Sequence, residues 1–291
     1  METADLLKRV RKIEIKSRGL TNQIFSGQYH SAFKGRGMAF SEVREYNYGD
    51  DIRSIDWNVT ARFDHPYVKV FEEERELTVM LLIDVSGSNY FGTQQMLKTE
   101  KITEIAAVLA FSAIQNNDKV GVVFFSDRIE KFIPPKKGTA HILRIIRELV
   151  TFKSQSCGTK LSEPLRFLTN AIKKRCTAFL ITDFMDTGFQ DAIKIASRKH
   201  DLIGIRIVDK RESELPRAGL MKIRDFESNQ TYWVDTSGKE FQETHKYRWQ
   251  QHEKMLHDIF VKSRIDVAKV NTDEDFTKPL IKLFKKRESR Y

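Results

Sequence analysis

Three oxygen-bearing side chains follow an apolar stretch at residues 77–83 of this 291-residue chain. The stretch has the length and composition of a β-strand that is buried on both faces. It ends at Asp84, and Ser86 and Ser88 come next at alternate positions. Ligands of open α/β sheets bind just beyond the carboxyl ends of the strands, so these three residues are predicted to form part of a ligand site.

Two more oxygen donors are predicted to reach the same place. Thr159 lies where a polar loop opens a helix, and Asp183 follows a second buried strand at residues 177–182. Right-handed α/β winding brings such carboxyl-side ends to one edge of the sheet. Two carboxylates and three hydroxyls are hard donors, which Mg²⁺ or Mn²⁺ prefers, whereas zinc favours His and Cys. The five residues therefore predict a magnesium or manganese site.

The charge of the predicted site also favours a cation. Two carboxylates about 5 Å apart repel each other by roughly 3 kcal/mol at an effective dielectric constant of about 20, and a divalent cation removes this cost. Because only two of the ligands are acidic, the bound cation keeps positive charge and water ligands. Such a cation can accept a carboxylate from another protein.

Each of the five residues has a simpler explanation when it is taken alone. Ser86, Ser88 and Thr159 are residue types that cap helices, and Asp183 can be an ordinary turn residue. Their joint occurrence, in this order and at the ends of the right elements, is what favours the metal site over a set of caps.

Other reactive side chains give weaker signals. His245 and His252 share an apolar helical stripe with Trp249, so we expect core-edge histidines rather than metal ligands. Cys157 has no base at a local spacing that would activate it as a nucleophile. Cys157 and Cys176 are the only cysteines in the sequence, which argues against a disulfide framework and fits a reducing cytoplasm.

The composition is that of a globular protein with an excess of basic residues. Hydrophobic residues make up 40% and charged residues 31%, and the formal net charge is +10. The basic clusters near both ends of the chain carry no interleaved aromatics, so solvated helix faces are favoured over nucleic-acid binding. No apolar segment is suited to a signal peptide or a bilayer span, so we expect a cytoplasmic protein without a membrane span.

Strands alternate with helices from residue 77 onward, which predicts an α/β fold with a doubly wound, mostly parallel sheet. Residues 77–291 are predicted to form this domain, and residues 1–76 an N-terminal helix at 4–18 followed by an irregular, Gly/Asp/Arg-rich cover segment. The predicted strands of the domain are 77–83, 120–125, 128–133, 177–182, 202–208 and 265–270, with a hairpin of 222–226 and 231–234 that turns at 228–229. The predicted helices are 94–115, 139–149, 161–173, 188–199, 239–262 and 276–286.

Two local signals set boundaries within this domain. Pro134-Pro135 is expected to end the edge strand that begins at residue 128, because proline cannot donate to a ladder. Thr139 is expected to cap the helix that follows.

The five oxygen donors on an α/β sheet resemble the metal-ion-dependent adhesion site of von Willebrand factor A domains. The block upstream resembles the bacterial domain-of-unknown-function family 58. Its matching residues are Gly35-Arg36-Gly37, Phe40, Arg44, Tyr46, Gly49-Asp50-Asp51, Arg53, Ile55-Asp56-Trp57 and Ala61-Arg62. The resemblance implies a von Willebrand factor A-like fold in which Asp84, Ser86, Ser88, Thr159 and Asp183 hold a divalent cation.

The resemblance also implies a bacterial protein of the kind often encoded beside a MoxR-type AAA+ ATPase, acting as its adaptor or chaperone partner. The position after Ser88 is often Met in such families, and Asn89 is expected not to touch the ligands. A mainly structural polar network, rather than a partner surface, is expected of Arg44, Asp50, Asp51, Arg53, Asp56, Trp57 and Arg62.

We therefore expect a non-enzymatic interaction module whose cation captures an acidic side chain of a protein partner. The alternative is a Mg²⁺-dependent phosphohydrolase of the haloacid-dehalogenase type. That class uses a second Asp two residues after the first as its acid/base, and this chain has Ser86 there.

Overall fold

The computed structural model of the protein describes residues 10–11, 13–17, 19–21, 39–63, 65–72, 77–90, 97–224 and 230–289. The chain divides into two compact units, one of residues 1–32 with 78–291 and one of residues 33–77. The predicted boundary after residue 76 lies one residue before the division between residues 77 and 78. The segment 4–18, predicted as a helix, belongs to the larger unit. The Gly35-Arg36-Gly37 turn and the hairpin turn at 228–229 lie outside the described residues.

The smaller unit is built on a two-stranded antiparallel sheet. Its elements are β1 (Ala39–Glu45), a 3₁₀ turn (Ile52–Ser54), helix α1 (Trp57–Phe63) and β2 (Tyr67–Glu72). Arg44 binds Asp50 through two hydrogen bonds of 2.8 Å. Asp56 accepts a hydrogen bond of 3.0 Å from the amide of Asn58 at the start of α1. Both contacts are hydrogen bonds of the kind expected in a structural polar network of this block.

The larger unit contains a six-stranded sheet flanked by helices, and a separate two-stranded hairpin. The strands of the sheet are β3 (Thr78–Asp84), β4 (Lys119–Phe125), β5 (Ile129–Lys136), β6 (Thr177–Thr182), β7 (Asp201–Val208) and β10 (Asp266–Asn271), and the hairpin consists of β8 (Leu220–Arg224) and β9 (Thr231–Asp235). The strand order in the sheet is β10-β7-β6-β3-β4-β5. Its helices are α2 (Lys98–Gln115), α3 (Thr139–Thr151), α4 (Ser162–Ala171), α5 (Gln190–Lys199), α6 (Lys210–Ser213), α7 (Lys239–Ser263) and α8 (Thr277–Glu288). The sheet is parallel except for β5, which confirms the predicted α/β fold.

β3 occupies the centre of the sheet because its side chains can be buried on both faces. Residues 79–84 are all buried. The strand pairs in parallel with β4 and β6, with Asp84 opposite Phe125 and Ile83 opposite Ile181. The carboxyl ends of the three central strands therefore stand side by side, which is the arrangement the predicted site needs.

The two boundary predictions for β5 and α3 are wrong. β5 runs through Pro134-Pro135 to Lys136. An edge strand tolerates proline because it has a ladder partner on one side only, and the pairing with β4 is irregular at this point. The helix α3 is preceded by Gly138 at its N-cap, with φ of 100°, so Thr139 is its first helical residue rather than its cap.

α2 begins later than predicted. Leu97 is extended, and Lys98 is the first helical residue, four residues beyond the expected start. Lys98 therefore lies at the amino end of α2.

No helix among the described residues is long and apolar enough to cross a bilayer.

Gly121 in β4 permits a close approach between β4 and the backbone of β5, at the point where the pairing of the two strands is irregular. A Cβ atom at this position would lie 2.7 Å from Sδ of Met80 and 2.9 Å from the backbone N of Pro135. Gly121→Ala is expected to lower the free energy of unfolding by about 1–3 kcal/mol, because the backbone of β5 must shift. Urea denaturation would measure the change. Gly19→Ala, where nothing lies within 4 Å, is the control, and an equal effect at both positions would contradict the prediction.

Candidate metal site

β3 and β6 each deliver a carboxylate to the carboxyl edge of the sheet. Asp84 is the last residue of β3, and Asp183 directly follows β6. Both carboxylate residues are buried, with exposed fractions of 1% and 2%. A 3₁₀ turn (Gly87–Tyr90) follows β3 and carries Ser88.

The loop that carries Thr159 is tied to the same edge on both sides. The amide of Gly87 donates a hydrogen bond of 2.9 Å to the carbonyl of Cys157, and the amide of Lys160 donates one of 3.0 Å to the carbonyl of Ser126, just beyond β4. Thr159 lies between these two anchors, so its loop is held against the ends of β3 and β4.

Asp84, Ser86 and Ser88 form one hydrogen-bonded cluster. Oδ1 of Asp84 accepts hydrogen bonds from the amide of Ser86 at 2.9 Å and from its hydroxyl at 2.6 Å. The hydroxyl oxygens of Ser86 and Ser88 are 3.1 Å apart. The Asp-x-Ser-x-Ser spacing predicted from the sequence is therefore realised as a compact set of side-chain oxygens.

Two further residues hold this cluster and were not predicted. The hydroxyl of Thr182 donates a hydrogen bond of 2.6 Å to Oδ2 of Asp84. The side-chain amide of Asn89 donates to the carbonyl of Asp84 at 3.2 Å and to the hydroxyl of Ser86 at 3.3 Å. The expectation that Asn89 stays away from the ligands is therefore wrong, because the 3₁₀ turn folds it back underneath them.

Asp183 is held by a buried ion pair that the sequence did not reveal. Its Oδ1 accepts a hydrogen bond of 3.1 Å from the amide of Met185, and its Oδ2 accepts one of 3.1 Å from Nζ of Lys98. Lys98 has no exposed surface, and it also donates to the carboxylate of Glu212. Nε of Arg206 donates to the carbonyl of Asp183 at 3.2 Å. Asp183 therefore belongs to a charged network that reaches α2, β7 and α6.

Burial and mutual repulsion dominate the electrostatics of the site. Burial, and then the charge of Asp183, raise the pKa of Asp84 to about 7, although hydrogen bonds from Ser86 and Thr182 act in the opposite direction. Burial lowers the pKa of Lys98, but the charges of Asp183 and Glu212 outweigh it, so the pKa is raised overall. Lys98 is therefore an ammonium at neutral pH, beside two carboxylates.

The donor set fits Mg²⁺ or Mn²⁺. Metal–oxygen bonds of about 2.1 Å in an octahedron place neighbouring ligands about 3 Å apart, which matches the separation of the two serine hydroxyls. The hydroxyl of Ser86 donates its hydrogen bond to Asp84, which leaves a lone pair of its oxygen for a cation. Among the described residues no three His, Cys, Asp or Glu side chains gather as a metal site, so a hard cation would rely on hydroxyls and two carboxylates.

The family of the chain follows from its match to a family model. Residues 42–255 match the model described as "Protein of unknown function DUF58". The chain belongs to the DUF58 family. A curated relative, "Uncharacterized protein Rv1480" of Mycobacterium tuberculosis, is 27% identical to this DUF58 chain over 226 residues, which are 77% of this chain and 71% of the relative. "Uncharacterized protein YeaD" of Bacillus subtilis is 25% identical over 122 residues, 42% of this chain and 27% of that protein.

Two solved structures are similar to this DUF58 chain. BatB from Bacteroides thetaiotaomicron aligns with a TM-score of 0.51 at 17% identity, over 73% of this chain and 99% of BatB. The VWA domain of SpRpn10 aligns with a TM-score of 0.41 at 10% identity, over 71% of this chain and 94% of that domain. The similarity to BatB shows a shared fold, in agreement with the α/β architecture described above.

The remaining reactive side chains of the DUF58 chain have structural partners. Nε2 of His245 lies 2.8 Å from the carbonyl of Glu212. His252 packs beside Trp249, with ring centroids 6.4 Å apart. Cys157 contributes its carbonyl to the site loop, and Cys176 is buried with its Sγ 3.2 Å from Nδ1 of His200.

Without a metal, the DUF58 chain is expected to lose stability as the pH rises from about 4 to about 7. The pKa of Asp84 in the folded state, about 7, exceeds the value of about 3.9 in the unfolded state, so the folded state binds an extra proton between these limits. Raising the pH removes this proton, and the free energy of unfolding is expected to fall by up to about 4 kcal/mol.

Urea denaturation in EDTA at several pH values would measure this slope. Asp84→Asn cannot titrate and should lack the part of the slope that Asp84 provides. An identical pH dependence in the wild type and in this variant would contradict the assignment.

Proposed function

We propose that this DUF58 chain is a non-enzymatic protein-interaction module that depends on a divalent cation. The residues that would hold Mg²⁺ or Mn²⁺ are Asp84, Ser86, Ser88, Thr159 and Asp183. The observation that carries the proposal is the cluster at the end of β3, in which the hydroxyls of Ser86 and Ser88 lie 3.1 Å apart and Ser86 is hydrogen-bonded to a buried carboxylate.

The protein's own residues prepare the site for a hard cation. Asp84 accepts a hydrogen bond from the hydroxyl of Ser86 and, through Oδ2, one from the hydroxyl of Thr182, so both hydroxyls have fixed orientations. The side-chain amide of Asn89 stabilises the turn by donating a hydrogen bond to the carbonyl of Asp84. A bound cation would supply positive charge and an open coordination position, which suits a carboxylate of a partner.

The partner is expected to present an acidic side chain at this edge. The resemblance described above favours a MoxR-type AAA+ ATPase as the source of that side chain. The von Willebrand factor A-like fold supports an interaction role only as an analogy, because one fold serves many functions.

Titration calorimetry with Mg²⁺ and Mn²⁺ tests the metal dependence. Co-purification with a MoxR-type ATPase of the same organism, in Mg²⁺ and in EDTA, tests the partner. Retention of the ATPase that is lost in EDTA is the expected result, and equal retention in both buffers would reject metal-dependent binding.

Nothing in the geometry favours the phosphohydrolase alternative. Ser86 occupies the position where that class needs an acid/base residue, and its hydroxyl already donates a hydrogen bond to Asp84. A phosphatase assay would reverse the ranking if it gave Mg²⁺-dependent turnover that disappears in Asp84→Asn.

A further inference from the structure

Lys98 is a buried cation that donates a hydrogen bond to one of the candidate ligands. It is the first residue of α2, it has no exposed surface, and its Nζ lies 3.1 Å from Oδ2 of Asp183. A lysine is seldom fully buried unless it is paired. This ammonium therefore lies where it would repel a second cation bound at Asp183.

Glu212 holds Lys98 from the other side and is itself fixed. It accepts a hydrogen bond from Nζ of Lys98 and, through its other oxygen, one of 3.0 Å from the amide of Asp209. Asp209 and Glu212 form a reciprocal capping box at the start of α6. Asp209 in turn accepts a hydrogen bond of 2.7 Å from the hydroxyl of Thr272. Glu212 is therefore a built part of the site and not a mobile surface carboxylate.

The charges around the site sum differently when this pair is included. When both are ionised, Asp84 and Asp183 supply two negative charges, whereas Lys98 adds one positive and Glu212 one more negative charge. The ammonium occupies one oxygen of Asp183, and like charges inside a protein repel strongly because the local dielectric constant is low. A divalent cation at Asp183 must therefore compete with Lys98.

We propose that Lys98 is an internal cation that competes with the divalent cation for Asp183, and that Glu212 sets the strength of this competition by holding part of the ammonium charge. The inference rests on the proposed metal site. It makes Lys98 and Glu212 the residues that tune the metal affinity without contacting the metal.

Two variants should change the affinity in opposite directions. Lys98→Met removes the competitor and should tighten Mg²⁺ binding by at least about tenfold, because one positive charge is lost beside the site. Glu212→Gln leaves Asp183 as the only carboxylate of Lys98 and should weaken Mg²⁺ binding by about fivefold or more. Gln can still fill the third position of the capping box, so α6 keeps its cap.

Titration calorimetry with Mg²⁺ and with Mn²⁺ on the full chain measures both effects. Lys101→Met is the matched control, because Lys101 is also buried in α2 but donates to the carbonyl of Glu274, away from the ligands. It should bind both metals as the wild type does. Circular dichroism checks that each variant is folded, and Glu212→Gln decides the question if Lys98→Met does not fold.

The outcomes separate this inference from the proposed function. Wild-type binding that stays the same in Lys98→Met and Glu212→Gln would overturn the role of Lys98 and leave the metal site intact. Binding by Lys98→Met alone would support the inference in its strongest form. Failure of both the wild type and Lys98→Met to bind either metal would overturn the metal site, and the inference with it.

Discussion

Lys98→Met is expected to lower the free energy of unfolding in EDTA by about 3–5 kcal/mol, the range for removing one partner of a buried ion pair. The substitution leaves the carboxylates of Asp183 and Glu212 without their ammonium. Asp183 is 2% exposed, so water cannot replace the lost interaction there. The methionine has nearly the shape of the lysine stem, so packing changes little.

Urea denaturation with and without Mg²⁺ would measure this loss. Lys101→Met is the control for a buried lysine of the same helix, and it should cost about 1 kcal/mol because it gives up one hydrogen bond to a carbonyl. Adding Mg²⁺ should restore part of the stability of Lys98→Met, since a cation then balances Asp183 again. A loss no greater than that of the control would show that the ion pair contributes little.

Asp84→Ala is expected to weaken Mg²⁺ binding by at least about 100-fold, the upper end of what supporting residues of metal sites contribute. Alanine removes one of the two candidate carboxylates. It also removes the acceptor for the hydroxyls of Ser86 and Thr182, so neither keeps its orientation. Binding of a partner through the cation should disappear with the metal.

The matched control for this loss is Asp118→Ala. Asp118 is 1% exposed, like Asp84, but it directly precedes β4 and so lies at the opposite, amino-terminal edge of the sheet. Both variants should be less stable than the wild type. Calorimetry should show metal binding in Asp118→Ala and none in Asp84→Ala at the same concentration, and similar binding in both would reject Asp84 as a ligand.

The central part of the site could be predicted because its signals are local. An apolar run that stops at Asp84 identifies a buried strand and its carboxyl end, and the same pattern places Asp183 after β6. The parallel register of β3 and β6 then brings the two ends together. The order of elements along the chain is enough to predict this convergence.

The charged half of the site could not be predicted, because it depends on long-range contacts. Lys98 opens a helix, where a lysine is ordinarily a solvated residue, and its partner Glu212 is 114 positions away. Asn89 was misjudged for a similar reason, since only the 3₁₀ turn folds its amide back to Ser86. The boundary at Pro134-Pro135 was wrong because a proline signal does not reveal whether a strand has one neighbour or two.

The prolines of β5 also bear on how the sheet meets other molecules. An edge strand with free backbone donors can recruit strands from other chains and seed aggregation. Pro134 and Pro135 lack a backbone N–H, so β5 offers fewer donors to an incoming strand. The other edge, β10, carries Lys269, a charged residue type that discourages strand addition. Both edges of the sheet therefore carry features that discourage the addition of a strand from another chain.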